Sequence, residues 1–394
     1  MIRSALLFGS LALILYTYLL FPVILLVRAL VRPKPFEQRD IEPPVTLVIA
    51  AHNEAGSIGG KLDNTMSLDY PADRLEVIVA SDGSDDGTNE IVDRHADRVR
   101  LLALPRNGKA SALNAAIAQA SGEIIVFSDA NSTYARDAIR ALVRPFADPR
   151  VGGVAGNQRY RTVGHERGQS AGGEQAYWSF DRLLKVAESR AGNAISATGA
   201  IYAIRRSLLG VVPEGVTDDF AVSSSIIAQG YRLVFAPDAI AYESPAASGR
   251  AEFGRKVRVI TRGLRGVLLR RELLNPFRYG FYALQLFTHK FLRRLMVIPL
   301  LLVAGMTASF WSRGAIYRVA AIAQLVFYAL AAAGIALEGS HVGRRRILAA
   351  PAYFVMVNAA CLVAVWNLLR GRRIDRWDSP RTSRTAERHK PTGT

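Results

Sequence analysis

Three stretches set acids or small polar residues directly after apolar runs: AAHNE at Ala50–Glu54, SDGSDDGT at Ser81–Thr88 and SDANS at Ser128–Ser132. A fourth, VTDDF at Val216–Phe220, places Asp218 and Asp219 side by side ahead of a helix-like run ending at Gly230. Carboxylates of this kind accept hydrogen bonds, take protons and bind hard cations, which prefer oxygen ligands. Lys109, just after an Asn-Gly pair, adds a compact point charge suited to phosphate. The plainer readings are that Asp82 and Asp85 build Asx turns, that the acids of VTDDF cap a helix, and that Lys109 is a solvated helix-start residue.

The elements around these groups decide between the two. Ile124-Ile125-Val126-Phe127 is apolar without alternation, as expected of a strand buried on both faces, and Asp129 then sits at its carboxyl end. Val45–Ala50, Leu75–Ser81 and Val99–Leu104 read as three more strands. Helices are expected over Ser57–Met66, around Asn89–His95 and over Lys109–Ala120, the last with Ala112, Leu113, Ala116 and Ile117 on one face. This alternation predicts an α/β domain with a mostly parallel sheet, helices on both faces and right-handed crossovers. In such sheets ligands bind outside the carboxyl ends of the strands, where AAHNE, SDGSDDGT and SDANS would converge.

Beyond Asp137 the pattern loosens. Val151–Tyr160 reads as a strand, Gln169–Ser189 as a helix, and Ser196–Leu209 as a strand entering a helix. Asp218–Gly230 reads as a helix with acid at its start and glycine at its end. Phe253–Arg271 reads as a basic helix lying on a membrane surface. His165, His289 and the RWDSPR segment are read as loop, interface anchor and tail.

The chain has 394 residues and a formal net charge of +17. From Ser4 to Val27 there is no charge, and about 20 apolar residues suffice to cross a bilayer as a helix. Further spans are expected near Leu295–Trp311, Ala315–Leu337 and Ile347–Leu369, one N-terminal and three C-terminal in all. Many basic residues flank these segments, among them Arg28, Arg32, Lys34, Lys290, Arg293 and Arg294. They place the intervening domain in the cytosol of a multi-pass protein of the inner or plasma membrane, facing anionic lipid headgroups. The basic tail would then exit on the opposite side, against the same rule. The charge is accounted for by membrane flanks, and no nucleic-acid module accompanies it. Cys361 is the single cysteine, so no intrachain disulfide can form. The expected domains are a span at 4–27, a globular domain at 32–250, interfacial helices at 251–294, three spans at 295–369 and a basic tail at 370–394.

VIAAHNE, VIVASDGSDDGT, NGKASALNAA, FSDANS and VTDDF, in this order and flanked by spans, resemble family 2 glycosyltransferases with the GT-A fold. The likeness is to the membrane-embedded cellulose, hyaluronan and poly-N-acetylglucosamine synthase group, over about Pro44–Arg294. It implies an inverting transfer from a nucleotide-activated sugar, most plausibly UDP-linked, to a growing polysaccharide. Single transfer to a membrane lipid or carrier is the alternative, and a non-catalytic nucleotide-sensing or export partner a more distant one. Carried over by position, Ala51 and Glu54 frame the nucleotide base, Asp82 accepts from it, and Lys109 lies beside the diphosphate. Asp129 and Asn131 hold Mg²⁺ or Mn²⁺ where the family usually has two acids, so one negative charge is missing here. Asp219 matches the catalytic base, with Asp218 in place of the usual glutamate. Asp218, Gly199, Arg255 and Arg258 fall on the acceptor and diphosphate side, and Val259 stands where processive members carry tryptophan.

Overall fold

The computed structural model describes residues 1–160, 171–244 and 249–372; His165 and the tail from 373 onward lie outside the described residues. The described chain divides into two compact units, one of 35–160 and 196–244 and the other of 1–34, 171–195 and 249–372.

The first unit is built on one eight-stranded sheet. Its strands are β1 (Val45–Ala51), β2 (Leu75–Asp82), β3 (Arg100–Leu104), β4 (Ile124–Asp129), β5 (Thr133–Tyr134), β6 (Val151–Tyr160), β7 (Tyr202–Arg205) and β8 (Arg232–Glu243). Their spatial order is β3-β2-β1-β4-β7-β6-β8-β5. The β3-β2-β1-β4 half is parallel, as the alternating pattern requires. β7 runs antiparallel to both β4 and β6, while β6 and β8 are parallel and β5 is antiparallel to β8. Every residue of β1 is buried, which is why VTLVIAA shows no alternation. The helix Ala55–Met66 turns Ile58, Lys61, Leu62 and Thr65 inward, and Lys109–Gln119 turns Ala110, Ala112, Leu113 and Ala116 inward. From β1 the chain steps to β2 and β3 on one side, then returns to β4 on the other. The strand order therefore reverses between β1 and β4, and the crevice at such a switch point opens at their carboxyl ends.

One local reading is corrected by this sheet, and two strands in it were not expected. Ser196–Leu209 gives the strand Tyr202–Arg205 and only a single 3₁₀ turn, Arg206–Leu208, because Gly210, two valines and Pro213 follow at once. β8 and the two-residue β5 carry no sequence expectation. β8 contains Pro237 and Asp238 midway, at an irregularity where the β6 register skips from Phe235 to Ile240.

In the second unit, Ile2–Val31, Ala315–Ala336 and Arg346–Leu369 are long and apolar enough to cross a membrane. Phe281–Leu295 and Val297–Ser309, bent by 46°, form a fourth if the pair is one span. The helix Gly249–Leu269 packs Ile260 and Leu264 against Ala360, Cys361 and Ala364. His289 is no interface anchor: its ring is 14% exposed and Nδ1 pairs with Oε1 of the buried Glu188 at 2.7 Å.

Candidate active site

Asp129 is the last residue of β4, level with Ala50 of β1 across the switch point. Its turn is locked from below: Ser132 Oγ donates to the Asp129 carbonyl at 2.9 Å, and Tyr134 Oη reaches the carbonyls of Phe127 and Ala200 at 3.2 Å each. The Asp129 carboxylate accepts from Lys109 Nζ at 2.8 Å, and the same ammonium lies 3.1 Å from Asp218 Oδ2. Lys109, Asp129 and Asp218 come from three separate segments and meet in one cluster with side chains 12%, 28% and 15% exposed. Burial works against the charge on Lys109, but Asp129 and then Asp218 outweigh it and push its pKa up.

Lys109 is held there by its own helix and by Asp82. Gly108 precedes the helix at φ +93°, a conformation natural to glycine alone. The backbone N–H groups of Asn107 and Gly108 both donate to the Asp82 carboxylate, at 2.8 and 2.9 Å. Asp82 is 2% exposed. Its carboxylate thus pins the turn that presents Lys109. Around it, His52 Nδ1 donates to the Asp82 carbonyl at 2.7 Å, leaving Nε2 to accept from Arg106 Nη1. Neither His52 nor Arg106 was singled out from the sequence.

The β1 and β2 loops are stitched to each other. Asn53, at φ +53°, accepts from the Asp85 N–H at 3.0 Å and donates its own N–H to Ser84 Oγ at 3.1 Å. The Glu54 N–H donates to Thr88 Oγ1 at 2.9 Å, and its carboxylate accepts from Ser57 Oγ. Ala51 is fully buried at the end of β1. Asp85 is exposed, while Asp86 takes the Asx role, accepting from the N–H of Thr88 and of Ala55. Asp218 and Asp219 open the helix Asp218–Ala228, and Asp219 Oδ1 accepts from the Phe220 N–H at 2.7 Å.

Gly199 lies against Asp129: a Cβ there would stand 3.0 Å from Asp129 Oδ2. Asn131 is exposed on the turn two residues beyond Asp129. Arg255 and Arg258 belong to the other unit, where Arg255 pairs with Glu252 at 2.7 Å. Among the described residues no group of three or more His, Cys, Asp or Glu could hold a metal unaided.

Lys61 is the participant that motif reasoning missed. It is 1% exposed, with Nζ 3.5 Å from Ser132 Oγ and 3.7 Å from the centre of the Tyr134 ring. Burial lowers its pKa to about 7 against the opposing pull of Asp129 and Glu243. Its signal was present as a lysine in the inward stripe 58-61-62-65 of its helix.

An ammonium between two carboxylates, at the switch-point crevice and beside a glycine that keeps space open, is suited to binding a diphosphate together with a cation. Residues 46–211 match the sequence model of Glycosyl transferase family 2. Poly-beta-1,6-N-acetyl-D-glucosamine synthase of Staphylococcus aureus strain MSSA476 is 30% identical over 226 residues, covering 55% of this chain and 53% of that protein. The Staphylococcus epidermidis enzyme of the same name is 30% identical over 229 residues, covering 54% of each. The chain thus spans about half the length of the curated relatives it matches. A mannosyltransferase from Pyrobaculum calidifontis, solved with GDP-Man and Mn²⁺, is similar over 92% of this chain and 99% of its own, at TM-score 0.69 and 28% identity. The sheet unit, with its acid and lysine cluster at the switch point, has the GT-A fold, and the part of the chain from 46 to 211 is similar to glycosyltransferase family 2.

Proposed function

We propose that the protein is an inverting glycosyltransferase that moves a sugar from a nucleoside-diphosphate donor to an acceptor at a membrane. The observation that carries the reading is the Lys109 ammonium lying 2.8 Å from Asp129 and 3.1 Å from Asp218 at the carboxyl edge of the sheet. Lys109 binds the diphosphate and stabilises the charge it gains as the bond to the anomeric carbon breaks. Asp219 takes the proton of the acceptor hydroxyl, whose oxygen forms the new bond to that carbon, and the bonding pair departs with the nucleoside diphosphate. Asp82 serves this step by fixing the turn that carries Lys109.

The site fits a divalent cation. Asp129 and the carbonyl oxygen of Asn131 are oxygen ligands, Gly199 leaves a space beside Asp129 Oδ2 that a Cβ would fill, and the diphosphate completes the set. When bound, Mg²⁺ or Mn²⁺ supplies charge neutralisation on the phosphates. The Mn²⁺ in the solved mannosyltransferase supports this reading.

The curated relatives, named as polysaccharide synthases, favour a polysaccharide acceptor, and the basic residues flanking the apolar helices favour a GT-A domain on the cytosolic side of a cell membrane. A second reading, single transfer to a lipid-linked acceptor, is favoured by Val259, whose aliphatic side chain cannot stack on a sugar ring. The test is release of nucleoside diphosphate from UDP- and GDP-sugars by the purified protein, with product length as a second readout. Asp219→Asn is expected to slow release by about 1,000-fold. Equal release from wild type and variant rejects the base assignment, and products one sugar long reject polymer synthesis.

A further inference from the structure

In the sheet unit, Tyr202 Oη and Thr198 Oγ1 are buried with no hydrogen-bond partner among the described residues. Tyr202 is 0% exposed. Its position follows from strand register. Tyr202 on β7 faces Phe127 on β4, and the two rings stack at 4.6 Å with 13° between their planes. Side chains two apart along a strand share a face, so Phe127 and Asp129 project together and the Tyr202 ring stands beside them. The charges that act on its phenol are those of Asp218, Asp219 and Asp129. The hydroxyl therefore lies within the field of the acid cluster yet donates to none of it.

A buried hydroxyl without a partner destabilises the protein that keeps it, whereas phenylalanine would stack on Phe127 equally well. A costly hydroxyl, buried beside the strand that ends in Asp129, fits a role in catalysis. Resting on the glycosyltransferase reading above, we propose that Tyr202 is a positioning residue for the acid pair. When a donor diphosphate draws the Lys109 ammonium away from Asp218, the Tyr202 hydroxyl donates to the released carboxylate. Asp218 is then held in place while Asp219 takes the acceptor proton. No bond to carbon or phosphorus is made or broken by Tyr202.

The test is Tyr202→Phe in the full chain, with thermal unfolding and donor kinetics measured on one preparation. The expected signature is divergent: an unfolding midpoint equal to or above wild type, a kcat lower by about 100-fold, and a donor KM within about two-fold. A variant that turns over as fast as wild type overturns the proposal. So does one that loses kcat together with its unfolding midpoint, since the hydroxyl would then be structural. Absence of turnover in wild type with every UDP- and GDP-sugar removes the glycosyltransferase reading and this proposal with it. Wild-type turnover matched by Tyr202→Phe removes this proposal alone.

Discussion

Replacing Lys109 by methionine isolates the cluster at the switch point. In water-like surroundings an ammonium 2.8 and 3.1 Å from two carboxylates would gain little, but here all three side chains are largely buried. At an effective dielectric of about 20 each attraction is roughly 5–6 kcal/mol. Most of this offsets the cost of drying the three charges, and breaking such a group leaves a loss of about 3 kcal/mol, the low end for buried pairs because Asp129 keeps 28% of its side chain exposed. For a unit of this size that corresponds to about 6–12 °C in the unfolding midpoint. The raised pKa of Lys109 means its attraction is present at every pH below about 10.4 and is lost only above that. The deficit should therefore be constant from pH 7 to 9. Methionine also leaves Asp129 and Asp218 without their cation, so Mn²⁺ added without nucleotide should raise the midpoint of the variant more than that of wild type. Turnover should fall by about 1,000-fold. The assay is differential scanning fluorimetry with and without Mn²⁺, beside nucleotide release. A variant that melts with wild type, or gains no more from Mn²⁺, refutes the clustering of charge on which the reading rests.

Two further perturbations probe the floor and wall of the same site. Between pH 7 and about 10.5 the unfolded chain keeps a proton that folded Lys61 has lost, so wild-type stability should climb by about 2 kcal/mol from pH 7 to 9. Lys61→Met should flatten that climb in urea titrations at the two pH values, and an unchanged slope would show that Lys61 titrates normally. Gly199→Ala introduces a Cβ 3.0 Å from Asp129 Oδ2. It should leave folding intact, shift the Mn²⁺ dependence of the initial rate to higher concentration and lower kcat/KM by about 10–100-fold. An unaltered metal titration would remove Gly199 from the cation site.

What the sequence disclosed follows from how burial is written into it. β1, β2 and β4 were legible because a strand buried on both faces shows its burial at nearly every position. Asp129, Lys109 and Asp218 were legible because each stands at an element boundary, where pattern changes. β8 was not, since Pro237 and Asp238 split RLVFAPDAIAYE into two fragments too short to register, and only the skipped β6 register accommodates them. The task of Asp82 was hidden for another reason. Its donors are backbone groups about 25 residues downstream, and a backbone N–H leaves no mark on composition.

The polar groups buried at this sheet edge differ in how far neighbouring groups of the protein satisfy them. Asp82 accepts from two backbone donors, which ties it to the turn that carries Lys109. Lys61 has a hydroxyl and an aromatic face, enough to hold it but too little to keep its pKa near the ordinary lysine value. Lys109 is paired with acids that the proposed reaction needs for other work, so those pairings must change during turnover. The Tyr202 hydroxyl has no hydrogen-bond partner among the described residues. Proteins tolerate such local violations where function requires them and offset them through the surrounding core, here the fully buried β1 and β4 on which the cluster stands. The degree of satisfaction therefore separates groups that the fold already holds from those, Lys109 and Tyr202, whose partners the proposed reaction would change.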